Sequence, residues 1–96
     1  MKKEEILKYL TDKKAEFENE FGVRRIGIFG SYVSGMNKDQ SDLDIVVELE
    51  KPDLFALIGL KQTIEEQLNR DVDIVRYRER MNRSLKEKID KDAVYA

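Results

Sequence analysis

The stretch Ile26-Gly27-Ile28-Phe29-Gly30-Ser31, followed across a polar loop by Ser41-Asp42-Leu43-Asp44-Ile45-Val46-Val47, decides how this chain is read. Val23 to Phe29 has the branched and aromatic content of a buried strand. It ends at Gly30, a residue suited to a tight turn and to close approach of another group to the backbone. Ser31 to Met36 reads as a short helix or turn, Asn37 to Ser41 as a polar loop, and Leu43 to Leu49 as a second strand, with Pro52 marking the break after it. Side chains alternate along a strand, so Asp42 and Asp44 project to one side while Leu43 and Ile45 point to the other.

Working outward, Glu4 to Phe21 places Ile6, Leu10, Phe17 and Phe21 at helical intervals, and Gly22 stops the helix. Asp53 to Leu68, with Leu54, Leu57, Ile58, Ile64 and Leu68, predicts a second amphipathic helix despite Gly59 inside it. Asp71 to Tyr77 reads as a third strand. Ser84 to Val94 reads as a last helix with Leu85 and Ile89 inward, capped by Ser84 with Glu87 three residues on. Three strands among four helical segments predict an α+β fold, an α/β sandwich with helices packed on one sheet face and the other face partly open. The chemistry is expected on the open face.

Composition sets limits on that chemistry. A chain of 96 residues is expected to form one domain, residues 1–96, with a modest core. Apolar residues at 41% and charged residues at 40% describe a globular protein with a charged exterior. The formal charge of −2 gives no global attraction to nucleic acid or to an anionic membrane, so direct nucleic-acid binding is not expected. Two local basic clusters exist, Lys13-Lys14 and the run containing Arg76, Arg78, Arg80 and Arg83, and both read first as solvated faces. Cysteine and histidine are absent, which excludes thiolate chemistry and zinc-type ligation and leaves oxygen ligands suited to Mg²⁺ or Mn²⁺. Met1-Lys2-Lys3-Glu4-Glu5 precedes no long apolar run, so a cytoplasmic protein without a membrane span is expected. Met36, Phe55 and Met81 are apolar positions for a partner interface, for the core or for scattered surface.

Asp73, in Val72-Asp73-Ile74-Val75, is a third acid among strand-forming residues. If its strand lies beside the second, three carboxylates converge, and like charges sharing a site are costly without a cation. One or two divalent ions remove that cost and give the acids a task. Taken alone, an Asp-x-Asp is usually a solvated pair, and Asp73 would usually be answered by an arginine. Gly30-Ser31 taken alone is usually a turn with Ser31 as helix cap. Together the pieces place free N–H groups and a hydroxyl at one strand end and metal-binding acids on the next strand, the ingredients of a nucleoside triphosphate site.

Gly30-Ser31, ten intervening residues, Asp42-Leu43-Asp44 and the later strand acid Asp73 resemble the signature of the DNA polymerase beta-like nucleotidyltransferases. The short chain and the flanking Gly35, Ser41, Val46 and Val47 are similar to the minimal nucleotidyltransferases of prokaryotes, and the likeness runs on to the ending from Leu85 to Tyr95. The resemblance implies a mixed sheet backed by helices. It implies Asp42, Asp44 and Asp73 as catalytic residues and ligands of two Mg²⁺ ions, with Gly30 and Ser31 holding the phosphates of ATP. It further implies an antitoxin that transfers AMP to a hydroxyl, that of a tyrosine, on a separate helical HEPN-type RNase toxin, the partner supplying the acceptor half. One departure is Ser34, which stands where that family often has an arginine; Lys38 is the nearest substitute cation. The alternative is a nucleotide-binding antitoxin, weak or inactive as a catalyst, that neutralises its partner by occlusion.

Overall fold

The computed structural model describes residues 1–36 and 42–96. The polar loop Asn37 to Ser41, with Lys38 and Ser41, lies outside the described residues. The order of elements is α1 (Lys3–Phe21), β1 (Val23–Phe29), α2 (Ser31–Ser34), β2 (Leu43–Leu49), α3 (Leu54–Leu68), β3 (Val72–Arg76), α4 (Arg83–Asp92) and β4 (Val94–Tyr95). The strands form one mixed sheet in the order β3-β2-β1-β4, in which β2 and β3 run parallel and β1 is antiparallel to both of its neighbours.

The strand alternation decides where each layer goes. Leu43, Ile45 and Val47 of β2 and Ile26 and Ile28 of β1 are fully buried against Ile6, Leu10 and Phe17 of α1 and Leu60 and Ile64 of α3. Removing such a continuous apolar face from water is the main force holding these layers together. Gly22, in the left-handed conformation, ends α1 as expected. The intervening positions, Phe29 and Val46, face the other way and pack with Ile89 of α4. The helices α1 and α3 therefore cover one face, and α4 lies across part of the opposite one.

Four details depart from the sequence reading. A fourth strand, β4, adds to the free edge of β1, pairing Tyr95 with Gly27 and Val94 with Ile28. A Cβ at residue 27 would lie 2.9 Å from the Tyr95 Cα, so the missing side chain of Gly27 lets this short strand close in. The guanidinium of Arg25 sits 3.8 Å from the Tyr95 ring centroid and bonds Glu48 at 2.9 Å, securing the same edge. Val94 accordingly belongs to β4 and not to the last helix. Leu54 and Ile58 face solvent, being 69% and 45% exposed, and Leu60 takes the inward place instead. Of the three apolar positions left open by the sequence, Phe55 and Met36 are exposed, whereas Met81 is half-buried against the cluster around Ile89.

The last helix is capped differently from the expectation. Asn82 is the N-cap, its side-chain oxygen accepting the Leu85 N–H at 3.0 Å, and Ser84 lies within the first turn. Asparagine is as good a cap as serine, and α4 simply begins earlier than its apolar spacing suggests. Asn82→Ala is expected to cost about 1 kcal/mol, on the order of 5 °C in Tm for a domain of this size, and Ser84→Ala much less. Thermal denaturation of the two variants separates the caps; equal losses would contradict the assignment.

Candidate active site

The end of the sheet where β1 stops and β2 and β3 begin collects the acids. Phe29 lies opposite Asp44 across the antiparallel pair, and Asp44 lies opposite Asp73 across the parallel pair. Residues opposed in a ladder face the same side, so both carboxylates emerge on the face that carries α4 and away from α1 and α3. Asp42 sits one residue before β2 and is exposed; Asp44 is half-buried and Asp73 exposed. Asp73 forms no ion pair with an arginine among the described residues, and neither does Asp42.

Hydrogen bonds set the start of β3 and with it the position of Asp73. The Leu43 N–H donates to the Asp71 carbonyl at 3.0 Å, joining the first residue of β2 to the residue just before β3. The Glu65 carboxylate, near the end of α3, accepts both the Lys61 ammonium and the Val72 N–H at 2.9 Å. These bonds, that of Lys61 first and that of Val72 second, hold the Glu65 carboxyl below its ordinary range. Tyr32 of α2 accepts a hydrogen bond from Arg70 at 2.8 Å, tying α2 to the turn ahead of β3.

Gly30 is the tightest point of the site. Its φ of 76° and ψ of −145° fall where only glycine is comfortable, and a Cβ there would run into the Asp44 carboxylate. The backbone at the strand end therefore passes directly against the acid. Gly30, and not Ser31, is the N-cap of α2; Ser31 is its first helical residue. The Val33 and Ser34 N–H groups donate to the Gly30 carbonyl at 3.1 Å, and Ser34 Oγ donates to the Ser31 carbonyl at 3.2 Å. The Ser31 hydroxyl makes no hydrogen bond among the described residues, so its donor and acceptor capacity is open to a ligand.

Electrostatics mark Asp44 as the unusual acid. Burial pushes its carboxyl above the ordinary value, Asp73 adds to the rise, Lys88 of α4 opposes it and Asp42 adds a little more. Lys88 was not singled out by the sequence, because it becomes a neighbour of Asp44 only once α4 folds onto this face. Among the described residues no three acids are gathered into a group that would hold a metal ion as it stands. Asp44 and Asp73 are brought opposite one another, while Asp42 is exposed one residue before β2. The donor set nevertheless fits a hard divalent ion: it offers only carboxylate oxygens, and its central carboxylate is partly desolvated and accepts no hydrogen bond among the described residues.

With this geometry in place, comparison with known proteins gives a consistent picture. The family model described as polymerase beta, nucleotidyltransferase, matches residues 11–95. The chain is 46% identical over 89 residues to the protein adenylyltransferase MntA of Thermococcus cleftensis, covering 92% of this chain and 85% of that protein. It is similar in structure to a chain in a crystal structure of a toxin-antitoxin with AMP-PNP, at a TM-score of 0.71 and 26% identity, covering 88% of this chain and 69% of the other. It is also similar to a solved structure assigned provisionally as a minimal nucleotidyltransferase, at a TM-score of 0.77 and 29% identity, covering 98% of this chain and 95% of the other.

The raised Asp44 carboxyl has a definite sign in a pH experiment. A folded-state pKa above the unfolded value means that the stability tied to protonated Asp44 is present in acid and lost as pH rises through the folded value. In metal-free protein Asp44→Asn is therefore expected to be the more stable at neutral pH, by on the order of 1 kcal/mol or less given solvent screening. The gap should narrow toward the ordinary value of 3.8. Melting curves of both proteins across pH check this; a wild type that gains on the variant as pH rises would contradict it. Gly30→Ala is expected to cost about 1–3 kcal/mol from backbone strain alone, with the contact on Asp44 added.

Proposed function

This chain belongs to the polymerase beta nucleotidyltransferase family, and on that premise we propose that it transfers AMP from ATP to a hydroxyl of a helical partner toxin, acting as its antitoxin. The observation that carries the proposal is the placement of Gly30 against Asp44, with Asp73 in register beside it. In this reading the Gly30 turn would hold the phosphates and the acids at the same sheet end would hold the metals, which is what phosphoryl-type transfer from a triphosphate requires. Support for the toxin as acceptor comes from the MntA relative, a protein adenylyltransferase, and from the toxin-antitoxin structure with AMP-PNP. The HEPN type of that toxin and its tyrosine as acceptor follow from the resemblance of the motif.

Each residue has a role in this proposal. Asp42, Asp44 and Asp73 would hold two Mg²⁺ ions, which supply charge neutralisation for the triphosphate and activation of the acceptor hydroxyl. The backbone N–H at the Gly30 turn and the Ser31 hydroxyl grip the β- and γ-phosphates, which depart as pyrophosphate. Asp73, at the open side of the site, accepts the proton of the acceptor hydroxyl as the hydroxyl oxygen bonds to the α-phosphorus. Among the described residues no helix is long and apolar enough to cross a membrane. The competing reading, occlusion of the toxin without transfer, draws on Ser34 in place of a loop arginine. The strained Gly30 and the partly buried Asp44 opposite Asp73 favour transfer, because occlusion has no use for either.

Incubation with the partner toxin, ATP and Mg²⁺ should raise the mass of the toxin by one or more AMP units. Asp44→Ala is expected to lower the rate by a factor of about 10²–10³, in line with loss of a group stabilising charge in the transition state. An unmodified toxin that is still neutralised by an Asp42→Ala/Asp44→Ala protein would establish occlusion instead.

A further inference from the structure

We propose that Lys88 of α4 is the resident counter-cation of the acid cluster and turns from the acids to the triphosphate when the metal-bound nucleotide arrives. This rests on the nucleotidyltransferase reading of the site and adds to it a residue from the helix across the sheet face.

The placement follows from the fold. Leu85 and Ile89 seat α4 on Phe29 and Val46, and Phe29 is the ladder partner of Asp44. The helix runs directly into β4, whose Val94 pairs with Ile28, so its C-terminal half lies at the end of the sheet that carries the acids. Residues three and four apart share a helix face, which puts Lys88, three after Leu85 and next to Ile89, along the border of the seated face. From there its positive charge acts on Asp44. Of the other cations of the helix, Arg83 pairs with Glu87 at 3.3 Å and Lys86 with Glu79 at 2.9 Å, while Lys91, in the last turn, is not among the charges that act on Asp44. Among the described residues Lys88 has neither an ion pair nor a hydrogen bond.

Charge balance gives that ammonium its second task. Three carboxylates and a triphosphate of roughly four negative charges exceed the four positive charges of two divalent ions, so a loaded site needs a further cation. The described part of the turn supplies none, since Gly30 to Met36 contains no lysine or arginine; Lys38, in the loop beyond, is the other lysine the sequence offers. A lysine is suited to the change of partner, being a compact charge on a flexible stem. Lys88 thus competes with a metal ion for the acids in the free protein and assists the nucleotide in the loaded one.

Those two tasks give effects of opposite sign, which a structural role would not. For Lys88→Met, Mn²⁺ alone, followed by electron paramagnetic resonance, should bind about tenfold tighter than to wild type. AMP-PNP with Mg²⁺, followed by calorimetry, should bind the same variant about tenfold more weakly. Lys88→Arg, which keeps the charge, should follow wild type in both. The position is exposed, so Lys88→Met is expected to fold, and its melting curve verifies that. Weakening of both ligands, or no change in either, overturns the role of Lys88. A wild type that binds neither ligand, or an Asp44→Asn protein that keeps full Mn²⁺ affinity, overturns the underlying site reading and this inference with it.

Discussion

Asp44 and Asp73 are held opposite one another on adjacent parallel strands, and the rest of the molecule supplies the force that keeps them there. Two carboxylates in ladder register repel, and burial of Asp44 adds to the cost. The opposing force is the fully buried run of Leu43, Ile45 and Val47 on the other side of the same strand, packed under α1 and α3. Because a strand sends alternate residues to opposite faces, the core cannot be satisfied without presenting the acids together. A slip of one residue would put Asp44 into the apolar layer, so the register of the site is enforced by the core.

The same economy extends to the phosphate turn. Gly30 ends β1 against the Asp44 carboxylate, so the place where a triphosphate would bind and the place where its metal would bind are separated by one backbone crossing. Glu65 and Arg70 brace the two chain segments from behind, the first at the start of β3 and the second at Tyr32 of α2. A site assembled from three strand ends and braced in this way leaves the sheet face beside Asp44 and Asp73 available to the partner proposed above.

Much of this was legible in residue spacing. The alternation from Asp42 to Val47 reports both the core face and the acid face, and the three principal strands fall within a residue of where pattern places them. What pattern missed depends on tertiary packing. A two-residue strand has no periodicity to detect, and β4 exists because Gly27 leaves room for it and Arg25 clasps Tyr95. Leu54 and Ile58 fit a helical stripe by spacing, yet the rotation of α3 is set by where Leu60 and Ile64 find the sheet. Lys88 carries no local signal, since its significance comes from the face on which α4 lands. The three acids were legible as a set of residues, but their spacing was not, because it depends on how β3 pairs with β2 and on where Asp42 leaves the strand.

The central claim is that Gly30, Ser31, Asp44 and Asp73 form a single metal and nucleotide site. Its most direct test is the crystal structure of the protein grown with Mn²⁺ and AMP-PNP, with manganese located by anomalous scattering. An anomalous peak between the Asp44 and Asp73 carboxylates, with the triphosphate against the Gly30-Ser31 turn, is the expected result. Manganese and nucleotide bound together elsewhere on the chain, with these carboxylates unliganded, would contradict the claim.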